Sequence, residues 1–247
     1  IKKHVIPSDY KELDASKMHV YLVEAAPRVL ASMSEISSKK AEKYLAELGV
    51  QVLTNTSVVS YDASTGQLKL SNGNILETDT VIWSAGVMGK TLDGISNELI
   101  ARGNRYKTDS FNRLEGMNEV FAIGDISYMT TDMNYPNGHP MVATVAQQQG
   151  RLLAKNIIRL INKQPMQPFI YKNKGSMATI GRHKAVFEIY GIKMQGYIAW
   201  LGWMFLHLML LVGFRNRLVV FINWLWNYIT YQRAIRIITR PFVQKLS

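Results

Sequence analysis

The sequence predicts an α/β fold with a largely parallel sheet, on three observations. The first hundred residues run strand, helix, strand, which is the order of a parallel crossover unit. The strand candidates are near-continuous apolar runs, as expected for strands covered on both faces. A second strand–turn–helix succession then recurs between residues 120 and 162.

"MHVYLVE" (18–24) is a short apolar run that ends in Glu24. Taken alone, Glu24 is either a surface acid after a strand or, as the tip of the second strand of a dinucleotide-binding unit, a partner for ribose hydroxyls. "SEISSKKAEKYLAELG" predicts a helix, with Ser34 as N-cap and Gly49 at its C-terminal end. "VQVLTNTSVVSYD" alternates as a strand does, and "GQLKLSNGNILETDTVIW" reads as a hairpin turning at Asn72-Gly73. The hairpin feeds "TVIWSAGVMG", an apolar strand that breaks into small residues. Such an end either admits a flat ring or a pyrophosphate close to the backbone or makes a tight turn.

Residues 101–119 are polar and read as a crossover between domains. "VFAIGDISYM" (120–129) follows as a strand that delivers Asp125 at its tip, directly after Gly124. Ligands of open α/β sheets bind outside the carboxyl ends of strands. A carboxylate there can accept hydrogen bonds from a sugar or a ribityl chain, although an isolated Gly-Asp is as readily a turn. The segment "SYMTTDMNYPNGHP" holds Pro136, Gly138 and Pro140 and reads as a loop. A helix pattern runs from Met141 to about Asn162, and its opening around Val142–Ala146 would aim free N–H groups at an electron-rich ligand edge. "YKNKGSMATIGRHKAVFEIYG" predicts one or two strands.

Composition excludes several chemistries. There is no cysteine, so disulfides, thiolate metal sites, iron–sulfur clusters and redox-active cysteine pairs are ruled out within these residues. The five histidines (4, 19, 139, 183, 207) show no metal-ligand spacing, and no metal site is expected. Redox chemistry would need an organic cofactor. The net charge of +11 is concentrated at the end. No acid follows Glu188, whereas Lys193, Arg215, Arg217, Arg233, Arg236, Arg240 and Lys245 do, and Trp200, Trp203, Trp224 and Trp226 share this region. Basic charge mixed with long apolar runs suits an anionic lipid surface rather than nucleic acid. The opening "IKKHVIPSDY" carries neither an initiator methionine nor a signal-like apolar core, so a fragment is expected.

Met194 to Phe214 contains no Asp, Glu, Lys or Arg. As one helix its 21 residues would reach roughly 31 Å, enough to cross a hydrocarbon core or to lie along it. Leu218–Tyr231 favours the second geometry. Asn223, Asn227 and Thr230 fall on one helical face, while Phe221, Leu225, Trp226 and Ile229 lie largely elsewhere. That pattern belongs in the plane of an interface, with Arg215 and Arg217 capping the turn between the two segments.

"VFAIGD" resembles the second flavin-binding motif of two-dinucleotide-fold flavoproteins. "ATVAQQQGRLLAKNI" and "KGSMATIGRHKAV" narrow the resemblance to the type II NADH:quinone oxidoreductases, over nearly the whole chain. The resemblance implies a two-dinucleotide-binding-domain flavoprotein, incomplete at the amino terminus, with a helical amphipathic membrane-binding tail. Residues 1–104 would be part of the NADH-binding domain, 105–170 the return segment of the FAD-binding domain, and 171–247 a membrane-anchoring and dimerisation region. No G-x-G-x-x-G occurs in the sequence, so these residues alone are not expected to hold either cofactor fully.

By the same resemblance, Asp125 with Gly124 would bind the FAD ribityl chain and Glu24 the NADH adenosine ribose. Ala85, Gly86 and Val87 would lie near the nicotinamide. Thr144, Val145 and Ala146 would meet the flavin pyrimidine edge. Lys174 would approach the flavin, and Met177 the quinone tunnel. Relatives carry two glutamines one helical turn apart beside the quinone. Here Gln148 matches the second, and Thr144 replaces the first with a shorter hydroxyl, leaving that contact absent or bridged by water.

The implied activity is oxidation of NADH and reduction of membrane quinone through FAD, without proton pumping. It would take place in a monotopic homodimer on the cytoplasmic face of a bacterial inner membrane. The rival expectation is a non-catalytic membrane-attachment and dimerisation module, should these residues be the whole natural product.

Overall fold

A computed structural model describes residues 11–12 and 14–230. Arg233, Arg236, Arg240 and Lys245 of the basic tail lie outside the described residues. In chain order the structure opens with β1 (Val20–Val23), α1 (Glu35–Glu47), β2 (Val50–Leu53), β3 (Val58–Asp62), β4 (Gln67–Leu70) and β5 (Ile75–Glu77). It continues with β6 (Ile100–Ala101), β7 (Arg105–Thr108), β8 (Ser127–Met129) and α2 (Ala143–Ile161). It closes with β9 (Ser176–Thr179), β10 (Ala185–Ile189), β11 (Ile192–Gln195), α3 (Gly196–Leu210) and α4 (Phe214–Thr230). Contacts divide it into two compact units, one combining residues up to Glu77 with those from Gly175 onward, the other spanning Thr78–Lys174.

In the first unit, β1 and β2 pair in parallel, Val20 opposite Val50, with α1 as the crossover. Ser34 caps α1 as its sequence predicts, its hydroxyl oxygen accepting the Ser37 N–H at 3.4 Å. A second cap comes from far away in the chain. The Glu188 carboxylate of β10 accepts the Ser34 N–H at 3.2 Å, the Ser37 hydroxyl at 2.5 Å and the Ser34 hydroxyl. Burial opposes the charge on Glu188, but these bonds outweigh it and hold its carboxyl below the usual range. A negative group is also favoured at a helix N-terminus. The hairpin of β4 and β5 turns at Asn72-Gly73 as expected, and β3 extends it into an antiparallel meander. Strands β9, β10 and β11 form a second antiparallel sheet. Its Ile180 and Val186 share a core with Val29, Met33, Ala41 and Tyr44, so the end of the chain folds onto its beginning.

In the second unit β7 lies between β6, antiparallel, and β8, parallel. One core gathers Tyr106, Leu114 and Ala122, and another gathers Met129, Val145, Phe169 and Tyr171.

Four expectations need correction. The sheets are not largely parallel, since among the described residues only the β1–β2 and β7–β8 pairings are. The hairpins supply the rest. "TVIW" forms no strand; no described neighbour offers it a hydrogen-bonding edge, and Ile82 is left 83% exposed. Residues 101–119 are more than a crossover, because β7 buries Arg105, Tyr106 and Thr108 there. Their polarity hid the strand. Finally, Asp125 does not end a strand. Phe121 makes only an isolated bridge to Arg113, and Gly124–Ile126 form a 3₁₀ turn that precedes β8. Gly124 has φ +71°, which an extended strand cannot contain.

The tail forms two helices. α3 has 15 residues, about 22 Å at 1.5 Å per residue, and the chain bends at Leu211–Gly213 before α4. Among the described residues no helix is long and apolar enough to cross a membrane. Arg217 caps the bend by donating from Nε to the Leu211 carbonyl at 2.8 Å, whereas Arg215 is simply exposed.

Candidate functional site

The polar groups of the second unit converge on the first turns of α2. Val142 precedes that helix without a side chain able to cap it, so the Ala143 and Thr144 N–H groups are left at the open end. Gly124 packs directly beside this turn. A Cβ on Gly124 would sit 3.1 Å from the Ala146 Cβ, and its N–H donates to Oε1 of the buried Gln149 at 2.7 Å. Glycine is therefore required twice, for its φ and for its closeness to the helix. The turn leaves Asp125 exposed beside the helix opening, where its carboxylate makes no hydrogen bond among the described residues.

Thr144 and Gln148, one turn apart, are both tied to the extended segment Phe169–Lys174. The Thr144 hydroxyl lies 2.7 Å from the Tyr171 hydroxyl. The Gln148 amide clasps Lys172 both ways, donating to its carbonyl at 3.0 Å and accepting its N–H at 3.1 Å. Each keeps hydrogen-bonding capacity beyond these bonds. Val145 is buried in the core, and its N–H and that of Ala146 donate to the Val142 carbonyl at 3.0 and 3.4 Å, so neither offers the free N–H group expected of it. Gln147 points outward, as the helical angle requires. Lys174 is exposed at the end of the segment.

Beneath this face is a pair with no sequence pattern to mark it. Asp132 and His139 are 4% and 2% exposed, and the Asp132 Oδ2 accepts from His139 Nε2 at 3.0 Å and from the Tyr171 N–H at 2.9 Å. Asp132 Oδ1 accepts the Asn134 N–H at 3.0 Å. Burial penalises this carboxylate, yet the bonds from His139, Tyr171 and Asn134 outweigh it and hold its pKa below the usual range. The ring of His139 packs against Tyr135, Phe169 and Tyr171. Arg105, also buried, donates to the carbonyls of Ser127 and, at 3.0 Å, His139. Asp132 and His139 are seven positions apart in a Pro/Gly-rich segment. Only the fold makes them a pair.

In the first unit Glu24 directly follows β1, as its sequence predicts. Its N–H donates to Leu53 at 2.9 Å, and its Oε1 accepts the Ala26 N–H at 2.8 Å, leaving Oε2 to another partner. It lines a cavity of about 310 Å³ with Leu22, Leu45 and Ile180 among its walls. Arg28 spends its guanidinium on the Ala31 and Met33 carbonyls, each at 2.9 Å. Met177 pairs with Phe187 across β9 and β10. Ala85, Gly86 and Val87 lie exposed in the irregular segment after Glu77, in the second unit. Gly124, Asp125, Thr144, Ala146 and Gln148 are thus brought together. Glu24 and Met177 belong to the other unit. Among the described residues no group of acidic, histidine or cysteine side chains could hold a metal.

The residues present fit part of each dinucleotide. Asp125 is a free acceptor beside an uncapped helix opening, which suits ribityl hydroxyls and an electron-rich ring edge. The Glu24 Oε2 suits a ribose diol. The glycine-rich turn that would cradle a pyrophosphate does not occur in the sequence.

Comparison with known proteins gives the same outline. Residues 10–150 match the pyridine nucleotide-disulphide oxidoreductase family model, and residues 173–232 match that of the NDH2 C-terminal domain. The chain is similar to the type II NADH:quinone oxidoreductase Ndh of Mycobacterium tuberculosis, 30% identical over 97% of this chain and 52% of that protein. It is 33% identical to the type II NADH:quinone oxidoreductase of Staphylococcus saprophyticus over 74% of this chain and 46% of that one. The chain therefore spans about half the length of the curated relatives it matches. Its fold resembles that of NDH2 from Plasmodium falciparum solved in complex with NADH, with a TM-score of 0.82 at 19% identity, covering 95% of this chain and 63% of that one.

Proposed function

Because this chain belongs to the pyridine nucleotide-disulphide oxidoreductases, and within them to the type II NADH:quinone oxidoreductases, we propose that the protein carrying it oxidises NADH and reduces a membrane quinone without pumping protons. One observation carries the proposal. A dinucleotide-binding stretch, 10–150, is followed in the same chain by the NDH2 C-terminal domain, 173–232.

FAD, when bound, would supply the two-electron carrier between NADH and quinone. Asp125 would accept hydrogen bonds from its ribityl hydroxyls, and Gly124 would leave room for their approach. The N–H groups left open at the start of α2, at Ala143 and Thr144, would favour electron density at the pyrimidine edge, with Val145 and Ala146 completing that turn. Lys174 would add a positive charge there. Glu24 would bind the adenosine ribose and oppose a 2′-phosphate, with Ala85, Gly86 and Val87 beside the nicotinamide. Thr144 and Gln148 would border the quinone, and Met177 is a separate candidate by resemblance alone. In this division residues 1–104 serve NADH, 105–170 FAD, and 171–247 attachment and dimerisation.

The exposed apolar faces of α3 and α4 support in-plane attachment to anionic lipid, with Ile198 69% and Phe205 65% exposed. The NADH pool of a bacterium places that membrane face toward the cytoplasm. The test is anaerobic mixing of the purified full-length protein with NADH, then with a quinone. We expect the flavin absorbance near ~450 nm to bleach and then return. A protein with no flavin band, or with a band NADH leaves unchanged, would instead fit a non-catalytic attachment module.

A further inference from the structure

We propose that Asp132, His139 and Tyr171 form a buried positioning relay that sets the polar face of α2, with Asp132 acting through Tyr171 on Thr144 and Gln148. This rests on the assignment of that face to the quinone.

Two adjacent residues of one extended segment hold both polar groups of α2. Tyr171 holds Thr144 through its hydroxyl, and Lys172 holds Gln148 through its backbone. A slip of one residue would carry the Tyr171 hydroxyl away from Thr144 and the Lys172 backbone groups away from Gln148, breaking every one of these bonds. The register of the segment therefore decides where Thr144 and Gln148 sit. Its position is fixed at Tyr171, whose N–H is held by the Asp132 carboxylate and whose ring packs against His139 and Tyr135.

The chemistry of the clasp is informative. With Asp132 ionised, Nε2 of His139 carries the proton it donates, and Nδ1 is left buried without a hydrogen-bond partner. Arg105 holds the backbone of the same histidine by donating to its carbonyl at 3.0 Å. Apolar side chains of similar volume would hold two segments together at least as well. What they could not do is choose one backbone N–H, that of Tyr171, and so fix the register.

The experiment uses the FAD-loaded full-length protein. Tyr171→Phe removes only the hydroxyl, and Asp132→Asn keeps the volume while removing the charge and replacing one of the two acceptor oxygens with an amide donor. Hydrogen exchange of residues 169–174 reports the segment itself, and anaerobic stopped-flow reports quinone reduction separately from NADH oxidation. We expect Asp132→Asn to speed exchange at 171–172. Both variants should slow the quinone step about three- to tenfold and leave the NADH step unchanged. Tyr171→Phe combined with Thr144→Val should be no slower than either alone, because the two hydroxyls act as one pair.

Gln148→Ala serves as the control for the underlying assignment. If it slows the quinone step while Tyr171→Phe and Asp132→Asn do not, the clasp is structural only. The relay is then wrong and the assignment stands. If none of the three slows that step, both fall together. Unchanged exchange at 171–172 in Asp132→Asn overturns the relay whatever the rates.

Discussion

Around the opening of α2, Asp132, His139, Gln149 and Tyr171 are buried and hydrogen-bonded, and the polar groups turn inward. Along α3 and α4 the opposite holds. Ile198, Phe205, Leu225 and Trp226 stand exposed, whereas Asn227 turns toward Arg182 and accepts its guanidinium at the backbone carbonyl. A surface helix in water shows its polar face outward. Burying polar groups costs free energy unless each finds a partner, and exposing an apolar face costs it unless something covers that face. The first region has met most of its cost internally, with His139 Nδ1 and Arg105 Nε as the exceptions. The second has not, among the described residues.

This contrast can be broken by exchanging the perturbations. Asp132→Ala leaves the buried Tyr171 N–H and the buried His139 ring without their acceptor. It should lower stability by about 3–5 kcal/mol. Phe205→Glu, on the exposed face of α3, should change stability by less than about 0.5 kcal/mol. Its effect belongs elsewhere, as a loss of about tenfold in binding to anionic vesicles. Urea unfolding and vesicle sedimentation on the same two variants read both halves. If Phe205→Glu were strongly destabilising, the α3 face would be a core rather than an attachment surface.

A smaller effect sharpens the first half. The Glu188 pKa is lowered in the folded protein by its serine partners at the start of α1, against the penalty of burial. Its contribution is therefore complete above the ordinary glutamate range and is lost as pH falls through the lower folded value. Glu188→Gln should cost about 1 kcal/mol at neutral pH, in the range of a lost helix cap. The deficit should shrink toward zero in acid. A deficit independent of pH would mean that the glutamine's shape, not the lost charge, is responsible.

The same contrast explains what the sequence made legible. Helix α1 is written locally, in a serine cap and a terminal glycine; so is the Asn72-Gly73 turn, and so is the span of α2. The apolar tail is legible too, because its periodicity and charge need no knowledge of neighbours. The "TVIW" strand failed because a strand exists only with an edge to pair with, which no single segment reveals. Asp125 was placed beside the right helix but on the wrong element, since the Gly124 turn depends on Gln149, 25 residues away. Asp132 and His139 could not be read at all. Polar residues between prolines and glycines look like solvated loop, and only tertiary burial turns them into a pair.

The most direct measurement is stopped-flow of the two half-reactions in the full-length enzyme carrying Gln148→Ala. Gln148 lies on the α2 face assigned to the quinone, and it is not among the residues assigned to NADH, Glu24 and Ala85–Val87. We expect flavin reduction by NADH to keep its rate and flavin reoxidation by quinone to slow about tenfold, the loss of one hydrogen-bonding partner. A slowed NADH step with an unchanged quinone step would contradict the assignment of this helix face.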